Sequence, residues 1–69
     1  MMILIVESET GEFQPVAVVS SESEGREIAR VDFARRLADP ENSMCPYVYR
    51  VWAQRENGEY ASIAEVLQA

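Results

Sequence analysis

The sequence predicts a small α+β domain: a four-stranded antiparallel sheet in the order 2-1-3-4, with one main helix on one face and a short helix at the C-terminus. Three observations predict it. Short apolar runs bounded by turn residues occur at both ends of the chain. The segment between them carries helix caps and helix-like charge spacing instead. The length of 69 residues leaves room for one core, so residues 1–69 are read as a single domain in the order β-β-α-β-β-α.

Met2 to Val6 is a continuous apolar run ending in a polar cluster, the pattern of a strand covered on both faces. Ser8–Glu12 is turn chemistry, with Gly11 free to take positive φ. Phe13 to Val19 reads as the second strand of a hairpin. Pro15 donates no ladder hydrogen bond and sends that strand to a sheet edge. An edge position for the second strand and a central one for the first together give the order 2-1-3-4.

The helix signal starts at Ser20–Glu24, where Ser21 and Glu24 have capping-box spacing. Glu22, Glu24 and Glu27 lie near its start and Arg35 and Arg36 near its end, as the helix dipole favours. Glu22 with Arg26 and Asp32 with Arg36 have the spacing of surface ion pairs, while Ala29, Phe33 and Leu37 form the expected core stripe. Asp39-Pro40 ends the helix, and a loop runs to Pro46. Tyr47 to Arg55 is the third strand. Its alternation places Tyr47, Tyr49 and Val51 under the helix and Arg50, Trp52 and Gln54 on the opposite face. Asn57-Gly58 predicts a two-residue turn that pairs Glu56 with Glu59 and Gln54 with Ala61. After a short fourth strand, Ser62 and Glu65 repeat the capping-box spacing and predict the last helix, with Ile63, Val66 and Leu67 facing inward. No linker, low-complexity tract or solenoid-length repeat is evident.

The absent residue types narrow the chemistry. There is no His and no Lys, and the six cations are all Arg. This excludes imidazole bases, the nucleophile pairs that depend on them, Schiff-base lysines and the Walker lysine. One Cys without His supplies neither a structural zinc site nor an iron–sulfur cluster, and no internal disulfide. The acidic spacing Glu7, Glu9, Glu12 recurs at Glu22, Glu24, Glu27, but neither segment has the ligand pattern of a calcium loop. No cofactor or metal is therefore expected. Cys45 has no neighbouring His or Lys to activate it and is expected to be half-buried and inert.

Twelve acids against six arginines give a net charge of −6. That charge disfavours direct contact with nucleic acid or anionic lipid. The N-terminal apolar run lacks the basic flank and cleavage site of a signal peptide and is too short to span a bilayer, so a cytoplasmic location is expected. The function expected on these grounds is that of a small non-enzymatic interaction or regulatory module, of the kind phages and plasmids carry. Its surface is assigned to Arg50, Trp52 and Gln54, and its partner is a protein or a second copy in a homodimer. The alternative is a nucleic-acid mimic that occupies the basic groove of a nuclease or DNA-binding protein.

Overall fold

The computed structural model describes residues 1–42 and 44–68. Its elements are β1 (Met2–Ser8), β2 (Phe13–Val19), α1 (Glu22–Ala38), β3 (Pro46–Gln54) and β4 (Tyr60–Gln68). The strands form one antiparallel sheet in the order β2-β1-β3-β4. Pro15 lies on the edge strand β2, and apolar β1 is central, as expected.

The predicted second helix is absent. Residues 60–68 form one continuous strand paired with β3 from Gln54↔Tyr60 to Val48↔Gln68. The capping box at Ser62 and Glu65 is a local preference of about 0.5–2 kcal/mol. A helix there would have left the outer backbone groups of β3 without partners, and a helix so short is marginal on its own. The β-branched Ile63 and Val66 also favour the strand. Arg26 of α1 binds the new strand by donating from Nε to the Val66 carbonyl at 3.2 Å, and the expected Glu22–Arg26 pair is not among the ion pairs of the described residues.

The β3–β4 turn is also one residue longer than Asn57-Gly58 predicted. Gly58 N donates to Arg55 O at 2.9 Å and Arg55 N to Glu59 O at 2.7 Å, with Gly58 at φ 87°. This is a three-residue loop whose glycine occupies the left-handed position, so Gln54 faces Tyr60 rather than Ala61. The β1–β2 turn is built alike: Gly11 N donates to Ser8 O at 3.1 Å, Ser8 N to Glu12 O at 2.8 Å, and Gly11 has φ 87°.

The likeness extends beyond the turns. Glu9-Thr10-Gly11-Glu12 corresponds to Glu56-Asn57-Gly58-Glu59, and the same offset carries Phe13 onto Tyr60, Ala17 onto Ala64 and Val19 onto Val66. Both hairpins carry a bulge at the same place: Leu4↔Ala17 gives way to Ile5↔Pro15, and Val51↔Ala64 to Trp52↔Ser62. The extra residues, Val16 and Ile63, also correspond. Because β1 and β3 are antiparallel with Leu4 opposite Val51, the two hairpins are related by a pseudo-two-fold axis through that pair. The repeat is divided between the two ends of the chain, with α1 inserted between its halves.

Helix α1 packs on one face of this sheet, over Leu4, Val6, Val19, Tyr49, Val51 and Val66. Its N-cap is Ser21, whose hydroxyl accepts from Glu24 N at 3.1 Å, while the Glu24 carboxylate accepts from the Ser20 hydroxyl at 2.8 Å. The buried helix residues are Gly25, Ala29 and Asp32. The expected stripe is thus rotated: Ala29 is buried, Phe33 only half-buried, and Leu37 is 68% exposed. Tyr47, expected beneath the helix, is also exposed. Gly25 sets the approach, since a Cβ there would lie 2.8 Å from Val51 Cγ2.

Substituting Gly25→Ala accordingly sets two effects against each other. Helix propensity gains about 1 kcal/mol. The clash with a stiff β-branched side chain costs about 1–3 kcal/mol and outweighs it. Urea unfolding is expected to show a net loss of stability, and adding Val51→Ala should reduce the penalty of the Gly25 substitution. A more stable single variant would contradict this close packing.

Candidate functional site

The two sheet faces differ in chemistry. On the helix side, the charged residue expected at the surface, Asp32, is buried at 2% exposure. Tyr49, directly below on β3, donates from its hydroxyl to Asp32 Oδ2 at 2.6 Å. Arg36 Nε donates to the same oxygen at 2.6 Å, and Arg35 Nη2 donates to Oδ1 at 2.7 Å. Arg36 also reaches Gln14 on β2 from Nη1 at 3.4 Å. Burial pushes the Asp32 carboxyl up, but the hydrogen bonds from Tyr49, Arg36 and Arg35, with the charge of Arg36, outweigh it and hold its pKa below 3.8. Burial pushes the Tyr49 phenol up, and its hydrogen bond to Asp32 and the carboxylate's charge add to the rise. Every strong acceptor here is occupied by a donor of the protein itself, which is the arrangement of a structural clamp.

On the other face, β-alternation and register bring together Ile3, Ile5 and Glu7 from β1, Phe13 and Val18 from β2, and Val48, Arg50, Trp52 and Gln54 from β3. No helix covers this face among the described residues. Ile5 and Val48 are nevertheless buried there, apart from the helix-side core. The register explains Ile5: Phe13 and Trp52 meet across it with ring centroids 5.2 Å apart and planes tilted by 53°. Phe13 stays 57% exposed and Val18 63%. The Trp52 indole N–H is buried and has no hydrogen-bond partner among the described residues. Arg50 bridges three strands, with Nε 3.3 Å from Glu7 on β1 and Nη1 3.8 Å from Glu65 on β4.

The structure therefore places Arg50 and Trp52 on one uncovered face. Gln54 lies on the same face at the turn end of β3, where its Nε2 donates to Gly58 O at 3.2 Å. Sequence reasoning missed Phe13 as the aromatic partner of Trp52. Its signal was available: in the order 2-1-3-4 both residues alternate to the same face. Cys45 is exposed, not half-buried. An open cavity of about 240 Å³ lies between Cys45, Met44 and the β1–β2 turn. Among the described residues no cluster of His, Cys, Asp or Glu is arranged to hold a metal ion, and no helix is long and apolar enough to cross a membrane. No protein-family model, curated protein or solved structure matches the chain.

Two outcomes are expected of substitutions at these faces. Asp32 stabilises the fold above the unfolded carboxyl value of about 4, and this contribution is lost as pH falls through its depressed folded value. Tyr49 contributes below the unfolded phenol value of about 10, and this part is lost as pH rises beyond it. Tyr49→Phe should cost about 1.5–3 kcal/mol at neutral pH and remove the alkaline loss. Asp32→Ala should cost about 3 kcal/mol or more by stranding Arg36. Urea unfolding as a function of pH checks both, and an unchanged alkaline limb in Tyr49→Phe would contradict the clamp.

At Trp52, a buried N–H without a protein partner among the described residues costs about 1–3 kcal/mol. Trp52→Phe removes that penalty along with part of the ring, so its cost should stay below about 1 kcal/mol, whereas Trp52→Ala should cost about 3 kcal/mol. Thermal unfolding of the pair distinguishes them. Equal losses would mean that the N–H carries no penalty.

Proposed function

We propose that the chain is a non-enzymatic protein-interaction module that binds through the uncovered face of its sheet. The supporting observation is the surface of exposed Phe13 and Val18 with half-buried Trp52, and Arg50 paired with Glu7 and Glu65 beside it. Contiguous apolar surface with a polar rim is characteristic of protein contact sites, and Trp and Arg are frequent anchors there. Gln54 belongs to the rim. On the opposite side the helix covers the sheet, and the clamp around Asp32 satisfies its buried polar groups internally.

The alternative, a nucleic-acid mimic, draws on the net charge of −6. Its support is concentrated in the two Glu-x-Gly-Glu turns, whose acids lie outside the described ion pairs. Against it, the helix acids Glu27 and Asp32 are paired with arginines.

Affinity capture from cells that make the protein tests both readings. Wild type should retain a protein, and retention should fall at least about tenfold with Phe13→Ala or Arg50→Ala, as for interface anchors. Elution that is insensitive to salt supports apolar contact. Elution as the Debye length shortens to about 8 Å near physiological salt supports the mimic. Retention unaffected by either substitution would refute the face as the binding surface.

A further inference from the structure

We infer that the occupant of the uncovered face is a second copy of this chain, stacked face to face about a two-fold axis; this rests on the reading of that face as a protein-binding surface. The first argument is that the sheet edges are poor alternatives. Pro15 and the bulge at Val16 interrupt β2, and bulges at Ile63 and Val66 with the charge of Glu65 interrupt β4. These are devices that oppose edge-to-edge pairing.

The second argument is area. With strands about 4.8 Å apart and a rise of about 3.3 Å per residue, four strands of this length present a face of about 19 by 25 Å, or roughly 480 Å². That is about a tenth of the 4611 Å² surface of the chain. Stacking two copies removes roughly 950 Å² of footprint, and the sides of the interleaving side chains bring the buried area to the ~1,000 Å² required of a specific interface.

The third argument is charge. The strand residues of this face carry Glu7, Arg50 and Glu65 and no other charged group. The remaining acids lie on the helix, the turns and the loop after the helix, all outside the interface. A face with both signs can complement a copy of itself, with each Arg50 set against an acid of the second copy. A strongly basic partner would find only this near-balanced triplet. The resulting assembly has two sheets about 10 Å apart, with a helix on each outer side.

Sedimentation equilibrium on the wild-type chain from about 1 μM to about 1 mM, the range over which weak interfaces dissociate, tests this. The average mass should climb from 7.8 kDa toward the dimer. Phe13→Glu should raise the dissociation constant at least about tenfold. Val31→Glu, on the exposed side of the helix at 69% exposure, should leave it unchanged. Circular dichroism confirms folding of each variant, and Val18→Glu replaces Phe13→Glu if the latter is unfolded. A wild type that stays monomeric throughout overturns self-pairing, as does a dimer that resists the open-face substitution. A monomer that captures a different protein through Phe13 and Arg50 overturns self-pairing while keeping the wider reading. That reading fails separately, when capture does not depend on this face.

Discussion

One buried carboxylate fixes how the helix sits on the sheet. Asp32 is placed where an aliphatic side chain would ordinarily lie, and removing it from water costs several kcal/mol unless it is paired and hydrogen-bonded. Tyr49 from below and Arg36 and Arg35 from the next helical turn supply that compensation. Arg35 and Arg36 turn with the helix, so Tyr49 is the donor to Asp32 that ties its rotation to the sheet. That rotation places Gly25 against Val51 and leaves Val31 and Leu37 exposed. Close approach at one point and directional hydrogen bonds at another thus determine the packing of a helix whose apolar residues alone define its phase poorly.

The sheet below has a symmetry that the helix breaks. Its two hairpins share a turn, a bulge position and several side chains, and are related about the Leu4–Val51 pair. The axis maps each face of the sheet onto itself, and among the described residues a single helix covers one of the two. The segment that carries a helix-capping pattern at Ser62 extends the sheet instead and covers neither face. The consequence is a domain with one face covered by the helix and its satisfied polar clamp and the other bearing aromatic side chains, an indole N–H without a partner among the described residues and a half-exposed ion triplet. The physical asymmetry of the two faces is what supports assigning recognition to the second.

Much of the architecture was legible in the residues themselves. An uninterrupted apolar run in β1 and Pro15 in β2 determined which strand is central and which lies at an edge, because ladder hydrogen bonding and two-sided burial act locally. Alternation along β3 likewise determined that Arg50 and Trp52 share a face opposite Tyr49. The rest depended on interactions between segments far apart in the chain. Ser62 and Glu65 express a real helix preference, but the unpaired edge of β3 offers a larger return in backbone hydrogen bonds. Asp32 reads as a surface acid until Tyr49 is brought beneath it. The hairpin repeat is weak in sequence because few positions are identical, and it becomes evident through its register. Periodicity and turn chemistry therefore determined the order of strands and their faces. The fate of the last segment, the rotation of the helix and the meeting of Phe13 with Trp52 were decided by tertiary structure, because each depends on a partner that the local sequence does not contain.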